Sequence, residues 1–107
     1  MEKQLLNAIR LSGHFIVYMP GYDFNEDVKK VMELLSGAFN GATMAATKMM
    51  WKTSTGTSRD DAVMIVSYCT TDQVNTNAPY IIEYISELGK TLGVNIPIDI
   101  NGNMYFL

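Results

Sequence analysis

The segment "DDAVMIVSYCTT", residues 60–71, decides the fold because it has the length and composition of a strand that is apolar on both sides. In an extended chain, Met64 and Val66 point to one side of this strand and Ile65 points to the other. The segment "HFIVYM", residues 14–19, has the same two-sided pattern. An antiparallel sheet with one free face is expected to alternate between apolar and polar residues. Something must therefore cover both faces of the predicted sheet.

The elements on either side of this strand predict how the sheet is built. Apolar residues at helical spacing predict helices over 23–41 and 77–92, and residues 42–54 and 62–71 predict a long β-hairpin. The dipeptide Asn101-Gly102 predicts a tight terminal hairpin. The order strand, helix, strand, strand, helix, strand is the split βαβ pattern. We therefore predict an α+β, ferredoxin-like fold: an antiparallel sheet with two helices on one face, a short N-terminal helix and a C-terminal β-hairpin.

Local signals predict where the helices begin. Asp23 with Glu26 three residues later is typical of a capping box at the start of the first helix. Asn77 is expected to cap the second helix, with Pro79 tolerated in its first turn. The polar residues 55–61 are expected to form the loop of the long hairpin.

Length and charge exclude several classes of protein. The 107 residues are expected to form one domain over 14–107, preceded by an N-terminal helical extension over 1–13. Eleven acidic and eight basic residues give a net charge of −3, which argues against a nucleic-acid partner. The sequence has no signal-peptide pattern and no apolar run of about 20 residues, so we expect a cytoplasmic protein that does not enter a membrane.

No motif in the sequence predicts a catalytic residue, a cofactor or a metal. The chain lacks the glycine-rich nucleotide loops and the GxSxG motif of esterases. Its one cysteine and one histidine cannot form a zinc site alone. His14 is interpreted as a residue at a strand end, although it could act as an acid or base at the mouth of the sheet. Cys69 is interpreted as an inert core residue.

The second face of the sheet is the first candidate site. Two helices cover only one face, and an uncovered apolar face usually marks an interface or a ligand groove. The cover could be a second copy of the chain, the N-terminal helix or a ligand. The residues predicted to form an interface on this face are Ile16, Met49, Met64 and Val66.

A mixed group of aromatic and basic residues is the second candidate site. Aromatic rings can stack on a planar ligand and cations can bind a phosphate, although the same residue types also anchor protein interfaces. The residues predicted to bind a small anionic or nucleotide-type ligand are Tyr18, Trp51, Lys52, Arg59 and Tyr68.

Four segments resemble small phage and bacterial ferredoxin-like proteins: "FNGATMAATKMMWKTSTG" (39–56), "DDAVMIVSY" (60–68), "APYIIEYISELGKTLG" (78–93) and "INGNMYFL" (100–107). The resemblance covers about residues 14–107 and involves no catalytic residue. It implies a binding role, such as the inhibition or sequestration of host defence components in a phage context. The same fold is also used by dimeric monooxygenases.

The sequence thus favours a non-enzymatic, homo-oligomeric binding protein over an enzyme. It would sequester a small ligand, for example a nucleotide-derived one, or inhibit a host defence protein. The alternatives are a small dimeric monooxygenase-like enzyme that uses the cleft between sheet and helices, with His14 as its acid or base, and a purely structural interaction module.

Overall fold

The computed structural model of the chain describes residues 13–21 and 24–107, which form five strands and two helices. In chain order they are β1 (Gly13–Pro20), α1 (Glu26–Ala38), β2 (Thr43–Thr53), β3 (Gly56–Cys69), α2 (Thr71–Leu92), β4 (Pro97–Ile100) and β5 (Asn103–Phe106). The predicted N-terminal helix falls on residues 1–12, outside the described residues, and Gly13 already belongs to β1.

The strands form one antiparallel sheet in the order β2-β3-β1-β4-β5. The predicted α+β architecture, with an antiparallel sheet and two helices, is confirmed. Val17 in β1 pairs with Ile65 in β3 on one side and with Ile98 in β4 on the other. The two segments that are apolar on both sides are thus neighbours in the interior of the sheet, as their composition predicts.

One face of the sheet and both helices share a single hydrophobic core. Phe15, Val17 and Met19 alternate with less buried residues along β1 and are at most 1% exposed. The helices contribute buried residues at helical spacing to the same core: Val28, Val31, Leu35, Val74, Ile81 and Ile85. The opposite face of the sheet, here called the helix-free face, receives no helix among the described residues.

The start of α1 corrects a prediction. The N-cap is Asn25, whose Oδ1 accepts a hydrogen bond of 2.9 Å from the backbone N–H of Val28. The predicted cap, Asp23, lies outside the described residues. Glu26 is the first residue of the helix, whereas a capping box requires the glutamate at the third helical position. At the first position its negative charge interacts favourably with the helix dipole.

The start of α2 is a second correction, because the helix begins six residues before the predicted cap. Thr70 and Gln73 form a reciprocal capping box: the Thr70 hydroxyl accepts from Gln73 N–H at 3.2 Å, and Gln73 Oε1 accepts from Thr70 N–H at 3.0 Å. The predicted end is confirmed, since Gly93 closes the helix in the left-handed conformation at φ 71°.

Asn77 and Pro79 consequently lie inside α2. The Asn77 side chain caps a different helix, because its Nδ2 donates to the Ala38 carbonyl at 2.9 Å, at the end of α1. Pro79 is accepted inside a long helix that packs against the core on both sides of it. The early capping box and this packing outweigh the unfavourable proline.

The long hairpin is the third correction. Residues 56–61 were predicted to be loop but continue β3, and only Ser54 and Thr55 form the turn. Pairing runs without a bulge from Thr43↔Val66 to Thr53↔Gly56. The polarity of residues 56–61 led to the wrong prediction. This end of the hairpin extends beyond the core, so a strand can form there without an apolar face.

The terminal hairpin is confirmed. Ile100 pairs with Asn103, and the two residues between them adopt positive φ, 54° at Asn101 and 92° at Gly102. These angles are those of the tight turn that the Asn-Gly dipeptide favours.

Candidate functional site

The helix-free face presents an apolar surface at the centre of the sheet. The register pairs Ile16 with Val66 and Tyr18 with Met64, and directly paired side chains lie on the same face. All four are only partly buried, whereas their neighbours along the strands are buried in the core. The predicted apolar second face therefore exists as a surface of the described chain.

The hairpin of β2 and β3 extends well past the rest of the sheet. Pairing between β1 and β3 ends at Pro20↔Ala62, so residues 48–61 form a two-stranded arm, here called the ribbon. Trp51 pairs with Ser58 in the ribbon. Its ring nevertheless contacts Phe106 of β5, with ring centroids 5.3 Å apart and ring planes inclined by 63°. The ribbon therefore reaches from one edge strand across to the other.

Beside this contact lies an open cleft of about 440 Å³, here called the aromatic pocket. A cavity of this size is within the range that small-molecule ligands occupy. Its lining combines aromatic and apolar side chains with the two aspartates of the ribbon, Asp60 and Asp61. The lining residues that matter for its chemistry are Tyr18, Met49, Trp51, Asp60, Pro97 and Phe106.

The two aspartates of the ribbon have different surroundings. Asp60 pairs with Met49 and lies on the side of the aromatic pocket, diagonal to Trp51. Asp61 pairs with Lys48 on the opposite side, where their charged atoms are 4.0 Å apart. The backbone carbonyl of Asp61 accepts a hydrogen bond from Gly21 N–H at 3.1 Å. Both aspartates line the aromatic pocket, and strand alternation places the Asp60 side chain on the same side of the ribbon as Trp51.

A polar cluster next to the pocket ties the terminal hairpin to β1. His14 Nε2 lies 3.0 Å from Asp99 Oδ1, which also accepts a hydrogen bond of 2.7 Å from Gly102 N–H. The backbone N–H of His14 donates to Asn101 Oδ1 at 2.8 Å, and Asn101 N–H donates to the His14 carbonyl at 3.1 Å. This cluster fixes the hairpin whose second strand carries Phe106.

Tyr18 connects the cluster with the pocket. Partial burial raises the pKa of its hydroxyl above the ordinary value of 10.0, and the negative charge of Asp99 raises it further. The phenol is therefore neutral at physiological pH and can donate a hydrogen bond to a ligand in the pocket.

The residues predicted to bind a ligand do not lie together. Tyr18 and Trp51 both line the aromatic pocket. Lys52 and Arg59 pair with Thr57 and Met50 on the other side of the ribbon. Tyr68 is exposed at the far end of the helix-free face, where it pairs with His14. The structure thus brings two of the five together and separates the aromatic residues from the basic ones.

The four residues predicted to form an interface share one face. Ile16, Met64 and Val66 lie at its centre, and Met49 lies at the pocket wall. Their role as an interface stays a prediction.

Sequence reasoning missed two walls of the pocket. Phe106 and Pro97 lie in the terminal hairpin and meet the ribbon only through the curvature of the sheet, for which the sequence has no local signal. Asp60 was interpreted as a loop residue. The available signal was that Asp60 and Asp61 would point to opposite sides if this segment were a strand. The polarity of residues 55–61 outweighed that signal and favoured a loop.

The remaining candidate residue, Cys69, belongs to the hydrophobic core. Cys69 is fully buried, and burial raises the pKa of its thiol, so it lacks the thiolate character of a nucleophile. Within 13–21 and 24–107, no cluster of histidine, cysteine and acidic side chains could hold a metal ion. Neither α1 nor α2 is long and apolar enough to cross a membrane.

The fold and the pocket can be compared with known proteins. No protein-family profile matches the chain, and no curated protein matches it by sequence. Among solved structures, its α+β fold is similar to that of a nucleoside-binding enzyme. That protein is a phage SAM lyase in complex with S-methyl-5′-thioadenosine, with a TM-score of 0.62 and 12% sequence identity over 95% of this chain and 94% of the other. At this identity the likeness establishes the fold alone.

The comparison corrects the predicted function. A non-enzymatic, homo-oligomeric binder was expected, but a solved protein of similar fold is an enzyme. The monooxygenase-like and purely structural alternatives receive no support from it either. The sequence predicted an apolar second face that could be an interface or a ligand groove, but it did not predict a pocket between the ribbon and the terminal hairpin.

Proposed function

We propose that this protein is a lyase that cleaves S-adenosylmethionine, or a closely related sulfonium nucleoside, and releases a methylthioadenosine product. The observation that carries the proposal is the aromatic pocket on the helix-free face, in a fold similar to that of a SAM lyase. A phage context and a nucleotide-derived ligand, both expected from the sequence, agree with the comparison.

The pocket walls suit both halves of such a substrate. Trp51, Tyr18 and Phe106 provide aromatic surfaces against which an adenine ring can stack. Aromatic faces also attract a positively charged sulfur, and Asp60 adds a negative charge on the same side. The Tyr18 hydroxyl is a neutral donor for an adenine or ribose acceptor.

The reaction requires little from the protein because the sulfonium is already a good leaving group. The bond between sulfur and Cγ of the methionine part breaks, and its electron pair goes to sulfur, which becomes a neutral thioether. In one route the substrate's own carboxylate attacks Cγ and forms a lactone. In the other, a base removes a proton from Cβ and an alkene forms. Neither route needs a cofactor.

The two routes make different demands on the pocket. Intramolecular attack needs only a wall that folds the substrate so that its carboxylate approaches Cγ, which is a gain from orientation. Elimination also needs a proton acceptor, and the candidate is the carboxylate of Asp60, which lies on the Trp51 side of the ribbon. Analysis of the second product, lactone or unsaturated amino acid, distinguishes them.

The proposal is tested by incubating the protein with S-adenosylmethionine and following methylthioadenosine by liquid chromatography and mass spectrometry. Trp51→Ala is expected to reduce turnover by about five- to 150-fold, because a stacking aromatic residue contributes about 1–3 kcal/mol per base. Met50→Ala is the matched control, since Met50 is the next residue in β2, is 61% exposed and lies on the other side of the ribbon.

Absence of methylthioadenosine above the uncatalysed background would refute the lyase proposal. Equal losses in the two variants would refute the placement of the site. Binding of methylthioadenosine itself is measured by calorimetry, which does not depend on turnover.

We include three finer statements in the proposal. The order β2-β3-β1-β4, with β1 and β3 adjacent in the interior, supports a ferredoxin-like topology. A cytoplasmic location agrees with a substrate that is a soluble metabolite. Self-association across the helix-free face would bury Ile16, Met64 and Val66, and sedimentation velocity tests it: a monomer at all concentrations would refute it.

A further inference from the structure

The charge of Asp60 lies beside the aromatic wall of the pocket. Asp60 and Trp51 are diagonal neighbours on one side of the ribbon, a position that places their Cβ atoms roughly 7–8 Å apart. Both line the aromatic pocket. A ligand that stacks on Trp51 therefore brings its other atoms within reach of the Asp60 carboxylate.

By strand alternation, the basic residues of the ribbon lie on the side opposite to Trp51, where Lys48 and Arg59 line a second cleft together with both aspartates. Lys48 pairs with Asp61, and Arg59 pairs with Met50, both on the other side of the ribbon. Within 13–21 and 24–107, the ion pairs are His14–Asp99, Lys48–Asp61 and Lys90–Glu87, and Asp60 takes part in none of them. The described lining of the pocket is thus negative and aromatic.

From this geometry we infer that Asp60, together with Trp51, is a specificity-determining pair that selects nucleosides with a positive charge at the sulfur position over neutral thioethers. The inference rests on the proposed function, because it concerns the same pocket and the same class of ligand. Cation–π attraction to Trp51 and Coulomb attraction to Asp60 both act on a sulfonium and both vanish for a thioether.

This selection has a direct consequence for turnover. Cleavage of the bond between sulfur and Cγ removes the positive charge, so the product loses both attractions when it forms. A pocket that prefers the cation therefore binds the neutral methylthioadenosine more weakly, which favours release of the product. The pocket is expected to bind its substrate class better than the product of the same reaction.

The experiment compares two ligands that are not cleaved and differ mainly in charge at one position. Sinefungin carries an ammonium group where S-adenosylmethionine has its sulfonium, and S-adenosylhomocysteine has a neutral sulfur there. Trp51 is the single tryptophan of the chain, so its fluorescence reports binding at the pocket. We expect sinefungin to bind about three- to tenfold more tightly, a preference consistent with an exposed cation–π contact and one exposed carboxylate.

Asp60→Asn is expected to remove most of this preference while binding of S-adenosylhomocysteine changes less than about twofold. Asp60→Glu should retain the preference. The control Glu83→Gln removes an equally exposed acid from α2, far from the pocket lining, and should leave the preference intact. High salt should reduce the preference in the unaltered chain, since it screens exposed charges.

Equal affinity for the two ligands, or a preference that survives Asp60→Asn, would overturn the inference. If Asp60→Asn does not fold, the salt dependence in the unaltered chain and the Asp60→Glu variant decide the matter. An Asp60-dependent preference without any turnover would preserve the inference and refute the lyase, whereas turnover without preference would do the reverse.

Discussion

The two faces of the central strands have nearly the same amino-acid composition but different surroundings. Val17 and Ile65 are fully buried beneath the helices. Ile16 and Val66, the next residues along the same strands, pair with each other on the helix-free face and remain partly exposed. Hydrophobicity alone therefore does not distinguish a face that the helices cover from a face that they leave partly exposed.

The difference lies in what the rest of the chain brings to each face. Helices α1 and α2 fill one side with side chains at core density. The other side is spanned at one end by the contact of Trp51 with Phe106, which leaves the aromatic pocket beneath it. Small-molecule ligands commonly bind in clefts lined by apolar and aromatic side chains, and this is the basis of the proposed site.

The strongest test of this comparison removes the same atoms from both faces. Ile65→Ala is expected to lower the free energy of unfolding by about 2–5 kcal/mol, because it leaves a cavity in a packed core. Ile16→Ala, on the helix-free face, should cost roughly 1 kcal/mol, since the side chain is already partly in water. Urea denaturation followed by circular dichroism measures both.

A loss at Ile16 as large as that at Ile65 would break the comparison. It would mean that the helix-free face is packed against something as closely as the core. A dependence of that loss on protein concentration would then identify a second copy of the chain as the cover.

The sequence predicts the fold better than the site, for a physical reason. The two-sided strands, the Asn101-Gly102 turn and the glycine at the end of α2 each depend on local chemistry, and the structure has all of them. The start of α2 was placed too late because the Thr70 capping box competed with a visible Pro79, and packing of the whole helix favours the earlier start.

The pocket depends on contacts that no local pattern specifies. Tyr18 and Trp51 could be proposed as ligand residues from their type alone. Their separation from Lys52 and Arg59 depends on the register of the ribbon, of which residues 55–61 were predicted to be a loop. Phe106 joins the site only because the ribbon curves across the helix-free face to the opposite edge of the sheet.

The terminal hairpin offers a smaller test, because it carries one wall of the pocket. Asn101→Ala removes the acceptor for His14 N–H and places alanine at a φ of 54°. We expect the free energy of unfolding to fall by about 1–2 kcal/mol, from the lost hydrogen bond and the backbone strain. Affinity for methylthioadenosine should fall as well, because Phe106 loses its support.

Asn101→Gly separates the two causes, since glycine loses the side-chain acceptor but adopts positive φ without strain. It should cost less than Asn101→Ala. Asn103→Ala, in the exposed strand β5, is the control and should change the free energy of unfolding by less than about 0.5 kcal/mol. Equal stability of all three variants would show that the hydrogen bonds between His14 and Asn101 do not stabilise the hairpin.

The smallest expected effect concerns the charge that Asp99 directs at Tyr18 from beside the pocket. Asp99→Asn keeps an oxygen for the Gly102 N–H but removes the charge, so the pKa of Tyr18 should fall toward 10.0 and stay above it because burial persists. Because folding favours the neutral phenol, its contribution to stability is present below pH 10 and is lost as the pH rises through the higher pKa of the folded state. Carbon NMR of labelled tyrosine, titrated in both proteins, measures the shift. If the pKa of Tyr18 is at its ordinary value, or does not respond to Asp99→Asn, the pocket side of the helix-free face is more hydrated than its burial indicates. The contrast between the two faces of the sheet would then be smaller.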